Sequence, residues 1–225
     1  MASQSCGESP TPAPPAPTPA PPAPTPAPMC STVPYLISLE GVPRVAAKAG
    51  ILRKDATTLH RSFPKIVTVP GVATGVMMES DLKAGERGCS IAHRELWSSL
   101  QHKKGPHLIL EDDAHPRSEA DLCSRLQGLE KSMQDQQLDM INLGPCFWDG
   151  SRKDGSPCTH AYMLSQNGAQ LAHAHTDSLH KPIDQQLRDL CTSRKLSCDV
   201  VDLFEQQNEG FSYIHSPHVS SVFLS

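Results

Sequence analysis

The sequence predicts an α/β fold: a mostly parallel central sheet flanked by helices, preceded by a disordered proline-rich arm. Three observations predict it. Short apolar runs of strand character alternate with amphipathic stretches through residues 31–225, the pattern a parallel sheet with crossover helices requires. One of those runs, HLILEDDAHP from His107 to Pro116, ends in three consecutive carboxylates, Glu111, Asp112 and Asp113, delivered onto a turn. Finally, 11 of the 21 prolines lie between Pro10 and Pro28 in the repeat TPAPPAP TPAPPAP TPAP, so residues 1–30 read as a stiff, solvated polyproline II linker that cannot join a core. Its PxxP spacings lack a flanking Arg or Lys to orient them in a peptide-binding groove, which favours a spacer.

The elements follow in order. PYLISL (34–39) reads as the first strand, followed by an alanine-rich helical patch from Pro43 to Ile51 and a short second strand, KIVTV (65–69). GCSIAHRELWSSLQ (88–101) places Ile91, Leu96, Trp97 and Leu100 at helical spacing, with Trp97 expected in the core. His107 to Leu110 is the third strand. Ser118 with Asp121 resembles a capping box and is expected to open the next helix, whose buried face carries Leu122, Leu126, Leu129 and Met133. LDMINL (138–143) and HAYMLS (160–165) are the fourth and fifth strands. A short helix begins in NGAQLAHAHT, another starts at Pro182, where the missing N–H costs nothing, and Ser197 to Phe204 forms a last strand.

Composition narrows the function. About 195 residues remain after the arm, enough to bury a real core. Net charge is −4, the sequence pI is about 6.2, and Lys and Arg are scattered, so no electrostatic footprint for nucleic acid is present. No stretch approaches the length of a membrane-spanning helix, and MASQSCGESP lacks the regions of a secretory signal. The compartment stays open, cytoplasm or a secretory lumen reached through an upstream signal or anchor. The eight cysteines form no CxxC pair and no zinc-type spacing, so a structural zinc site is not expected. Cys146 with Cys158, and Cys191 with Cys198, are candidate disulfides, but the favoured reading of Cys89, Cys123 and Cys191 is a small buried hydrophobe.

The acidic trio carries the chemistry. Carboxylates at the carboxyl edge of an open α/β sheet sit where such folds bind ligands, and oxygen-only donors suit a hard ion such as Mn2+ or Mg2+ bridging a phosphate. The plainer reading is an acidic turn that solvates a loop and caps the next helix.

Five blocks together resemble one family. YLISLEGVPR (35–44), GERGCSIAHRELW (85–97), LILEDDA (108–114), HAYMLSQNGAQL (160–171) and KPIDQQL (181–187) are similar, in order and spacing, to glycosyltransferase family 25, which includes lipooligosaccharide and procollagen galactosyltransferases. The resemblance covers nearly everything after the arm. It implies a GT-A type nucleotide-sugar-binding domain in which EDD stands for the DxD motif that holds Mn2+ on the diphosphate of a UDP-sugar.

Carried over by position, Asp113 would be the direct metal ligand, with Asp112 beside it. Asp112 and Glu111 would face the donor's hydroxyls, and Ser38, Glu40 and Arg44 would form the nucleotide-recognition edge. Arg44 also fits a solvated helix residue. His93 is a candidate donor contact or a histidine packed against the sheet, and Ala92 stands where the family pattern usually has serine. His215 or His218 would complete the metal shell, or both are exposed tail residues. Asp184 is the candidate base that takes the acceptor hydroxyl's proton in an inverting transfer; its alternative role is a carboxylate favoured by the helix dipole.

Two function classes follow. One is a metal-dependent transferase moving a hexose, galactose first among candidates, from a UDP-sugar to a hydroxyl on a glycan, lipid-linked glycan or protein. The other is a catalytically inactive module of the same fold that binds a nucleotide, glycan or protein, with the arm as tether. A two-metal phosphohydrolase would need further Asp or His ligands at other strand ends, and no such set stands out.

Overall fold

The computed structural model of the chain describes residues 30–38, 62–63, 65–70, 82–145, 158–177 and 180–206. Among these, the elements in chain order are β1 (Tyr35–Ser38), β2 (Val67–Pro70), α1 (Ala84–Leu100), β3 (His107–Glu111), β4 (Ala114–Pro116), α2 (Leu122–Asp135), β5 (Met140–Asn142), β6 (Ala161–Leu164), α3 (Gln166–His175), α4 (Ile183–Thr192), β7 (Cys198–Val200) and β8 (Phe204–Gln206). Six strands make one sheet in the order β2-β1-β3-β6-β5-β7, and β4 pairs with β8 in a separate two-stranded ribbon.

The sheet is mostly parallel, as expected. β1 runs parallel to β2 and β3, and β5 parallel to β7, while β6 is antiparallel to both of its neighbours. The chain leaves β5 at Asn142 and re-enters at Ala161 on the same edge, so β6 must run backwards. Sheet order reverses between β1 and β3, because β2 lies on one side of β1 and the chain then crosses to place β3 on the other. That creates a switch point at their carboxyl ends.

Pleat parity sorts the strand side chains onto two faces. Ile37, Ile109, Met140, Tyr162 and Leu164 pack with Trp97 and Leu100 of α1, Ala172 of α3 and Leu187 of α4. Leu36, Leu108, Leu110, Ile141 and Met163 pack on the opposite face with Leu122, Leu126 and Met133 of α2. Full burial of each such aliphatic chain contributes about 1.5–3 kcal/mol. Trp97 is fully buried, as its helical spacing predicts. The start of α1 is fixed by Glu86, whose carboxylate accepts the Lys83 backbone N–H at 2.9 Å.

Several expectations need correction. Glu111 is the last residue of β3 and not part of the turn, because its backbone N–H still pairs with the His160 carbonyl at 2.8 Å. α2 opens after Asp121 and not at Ser118; residues 118–121 follow β4, which pairs with β8 and holds that stretch extended up to Pro116. Ser165 belongs to the next helix as its cap, accepting the Gly168 N–H at 2.9 Å. The last strand divides into β7 and β8, which join different sheets. The helical patch at 43–51 lies outside the described residues.

The cysteines also differ. Cys123 and Cys191, both expected as small apolar side chains, are instead disulfide-bonded, Cys123 to Cys30 and Cys191 to Cys198, the alternative pairing for Cys191. Cys89 is a buried thiol, as expected. Cys158 is disulfide-bonded; Cys146, its expected partner, lies outside the described residues. Among the described residues no helix is long and apolar enough to cross a membrane.

The Cys30–Cys123 bond spans 93 residues and ties the entry of the fold to α2. Removing it with the double substitution Cys30→Ala and Cys123→Ala should cost about 2–5 kcal/mol, read as a lower guanidinium midpoint. A midpoint equal to that of the parent chain would show that the tie adds nothing.

Stability should also depend on one buried histidine. Burial holds the His107 imidazole below its ordinary value of 6.5, partly offset by the Lys103 carbonyl that its ring nitrogen contacts at 3.2 Å. The folded chain therefore prefers neutral His107, and the unfolded chain takes up the proton first as pH falls. The stabilisation is present in full above the ordinary value and is lost as pH drops through it toward the lower folded value. Denaturation midpoints should fall between about pH 7.5 and 5.5, and His107→Gln should flatten that slope.

Candidate active site

The site is built at the carboxyl edge of the sheet, where β3 ends. By parity with Ile109, Glu111 projects onto the face covered by α1, and its side chain is 1% exposed. A buried carboxylate needs hydrogen bonds to offset lost hydration. The Thr159 hydroxyl donates to Glu111 Oε1 at 2.6 Å, and His93 Nε2 lies 3.1 Å from the same oxygen. His93 Nδ1 meets the Tyr162 hydroxyl at 2.8 Å, and the Trp97 indole N–H donates to that hydroxyl at 2.8 Å. An indole only donates and a carboxylate only accepts, so Trp97 donates to Tyr162 and His93 Nε2 donates to Glu111.

Cys89 stands one turn before His93 on α1. Burial pushes its thiol well above the ordinary range, and the charges of Glu111, Asp184 and Asp113 push the same way, against a hydrogen bond with Thr159. Tyr162 is likewise raised, first by burial, with the Trp97 hydrogen bond opposing. Three carboxylates from two elements and a turn thus converge electrostatically on one buried thiol.

Asp112 and Asp113 follow on the turn, Asp112 buried and Asp113 half-buried. Ser38, at the end of β1, donates to Asp112 Oδ2 at 3.3 Å, a contact that crosses the switch point between β1 and β3. Asp184 sits in the first turn of α4, half-buried, and accepts the Gln185 N–H at 2.7 Å. It lines a small pocket with Asn142, Thr159, Arg188, Cys191 and Asp199. Thr159 belongs both to that cavity and to the Glu111 cluster, so it joins the two. Asn142 shapes the wall: its side-chain oxygen accepts the Gly144 N–H at 3.0 Å, and a Cβ on Gly144 would lie 2.1 Å from His160 Nε2. A side chain at 144 would displace that imidazole.

Ser38, His93, Glu111, Asp112, Asp113 and Asp184 therefore gather at one corner. Of the other candidates, Glu40, Arg44, His215 and His218 lie outside the described residues. Sequence reasoning missed Thr159, Tyr162 and Asn142, and gave Cys89 and Trp97 no part beyond packing. Tyr162 was findable, because a Tyr alternating with Met163 on a buried strand puts a hydroxyl on the α1 face, where it needs a partner. Thr159 carried no local signal.

No protein-family model matches the chain, and no curated protein matches it. Among solved structures, the chain is similar to a glycosyltransferase involved in glycosylation of the major capsid of PBCV-1, at 7% identity and a TM-score of 0.48, over 84% of this chain and 99% of that one. It is also similar to a protein assigned as a nucleotide-diphospho-sugar transferase from Desulfovibrio desulfuricans G20, at 12% identity and a TM-score of 0.44, over 84% and 94% of the two chains. A third is 4-diphosphocytidyl-2C-methyl-D-erythritol synthase from Anaerococcus prevotii DSM 20548, at 11% identity and 0.43, over 85% and 95%.

The hydrogen-bond relay behind Glu111 should be energetically coupled. Tyr162→Phe removes the hydroxyl that joins Trp97 to His93 and should cost about 1–3 kcal/mol. In a double-mutant cycle with Trp97→Phe, the coupling should be about 0.5 kcal/mol or more; additive losses would mean that the relay does not act as a unit.

Proposed function

We propose that the chain is a metal-dependent glycosyltransferase of GT-A type, moving a hexose, galactose first, from a UDP-sugar to an acceptor hydroxyl on a glycan, lipid-linked glycan or protein. The observation that carries this reading is the acidic end of β3 at the switch point, with Asp112 tied to Ser38 and with Asp184 facing the adjoining cavity. The five sequence blocks that resemble family 25 support it: they map onto β1, α1, β3, β6 with α3, and α4, and each brings a residue to this corner.

Asp113 and Asp112 would hold Mn2+ or Mg2+; their all-oxygen donor set fits a hard ion. Bound there, the ion neutralises the leaving diphosphate. Ser38 restrains the Asp112 carboxylate through its hydroxyl. Glu40 and Arg44 are assigned to the nucleotide, and His215 or His218 to the remaining metal position. Asp184 receives the proton of the acceptor hydroxyl as that oxygen attacks the anomeric carbon, which inverts the configuration there. The cavity beside Asp184 receives the acceptor.

Thermal shift with a panel of sugar nucleotides, with and without Mn2+, tests the reading. Manganese-dependent stabilisation by one UDP-sugar is expected, and Asp113→Asn should abolish it. Asp184→Asn should keep that stabilisation while lowering turnover about 100-fold or more. Indifference to every nucleotide would overturn the assignment, and binding without transfer to any acceptor would favour the inactive binding module.

A further inference from the structure

Cys89 has no part in the transferase reading, and it forms one buried cluster with His93 and Glu111, the two candidate donor contacts. Their Sγ, Nε2 and Oε1 atoms all lie within 4.8 Å of one another. Cys89 and His93 are four residues apart on α1 and so share a helix face, and the pleat of β3 turns Glu111 toward that face. We propose that these three side chains bind a zinc ion, in a site separate from the Asp112–Asp113 turn.

The geometry fits. Zinc holds nitrogen and oxygen ligands at about 2.0–2.2 Å, so neighbouring tetrahedral ligands stand about 3.3 Å apart. His93 Nε2 and Glu111 Oε1 are 3.1 Å apart. A thiolate, an imidazole and a carboxylate suit a borderline ion such as zinc, whereas the turn at Asp112–Asp113 offers only oxygen. The supports around the trio are those a zinc site needs. Tyr162 meets the second ring nitrogen of His93, and with zinc on Nε2 that nitrogen donates to the hydroxyl, which accepts from Trp97 as well. Thr159 fixes the Glu111 carboxylate.

Charge balance points the same way. The cluster buries the Glu111 carboxylate in a corner that already contains Asp113 and Asp184. Zinc binding displaces the Cys89 thiol proton to solvent and leaves a neutral His93 ring with its proton on Nδ1, so one Zn2+ with one thiolate and one carboxylate leaves no net charge. The trio is almost fully buried, at 0%, 0% and 1% exposure, and three protein ligands leave the fourth tetrahedral position open. Thr159, in contact with Cys89 and Glu111, is the side chain between it and the cavity. The C-x3-H spacing within one helix is the sequence signal; it matches no familiar zinc finger pattern, and its third ligand is 18 residues further on.

The test uses the full chain, in a Cys6→Ser background, loaded with zinc and dialysed, with bound metal measured by elemental analysis, and then reconstituted with Co2+. About one zinc per chain is expected, with a near-ultraviolet thiolate-to-cobalt band and tetrahedral visible bands. Cys89→Ser should remove the thiolate band, and His93→Gln should weaken zinc binding about 10-fold or more. Asp113→Asn should leave zinc bound, which separates this site from the donor site and from the fate of the transferase reading. Absence of tightly bound zinc, or an unchanged cobalt spectrum in Cys89→Ser, overturns the proposal. If Cys89→Ser fails to fold, the cobalt spectrum of the parent decides: a thiolate band sustains the site, and its absence ends it.

Discussion

The structure at the sheet edge depends on keeping the Glu111 carboxylate inside the protein. Moving a charged carboxylate out of water costs several kcal/mol unless hydrogen bonds replace those lost, and here Thr159 and His93 converge on one oxygen. The imidazole is in turn held by Tyr162 and Trp97, so a charge at the end of β3 is supported by side chains from α1, from β6 and from the segment just before β6. Such networks are stiff because each member has few alternatives in a low-dielectric surround. The next two residues, Asp112 and Asp113, inherit that stiffness through the backbone.

Topology explains why the corner forms where it does. Parallel neighbours β1 and β3 end together, and the chain diverges from β1 to opposite sides, leaving an opening above their carboxyl ends. The reversed strand β6 contributes in a different way. Because it starts at this edge, Thr159 and His160, which precede it, reach the site from the entry of a strand instead of its exit.

The order of the elements and the acidic corner were legible because they rest on local chemistry: alternating apolar strands, helical spacing at Leu96, Trp97 and Leu100, and carboxylates directly after a strand. The direction of β6 was not, since a short apolar strand reads alike both ways, and direction is set by the connection. The Cys30–Cys123 bond was also hidden, because pairing across 93 residues is a property of the tertiary fold and not of spacing. The role of His93 divides between the two. Its placement on the inner face of α1 follows from periodicity, but its partners come from strands distant in sequence.

The same bond changes how tension would travel through the molecule. A pull on the chain ahead of Cys30 reaches a covalent branch before it reaches β1: one path runs along the backbone into the sheet, the other through sulfur into α2. Because α2 is anchored by Leu122, Leu126 and Met133 in the core on its face of the sheet, load shared with the helix spares the hydrogen bonds between β1 and β3. A force applied ahead of Cys30 would thus be divided between β1 and α2 before it reached the sheet edge that bears the acidic corner.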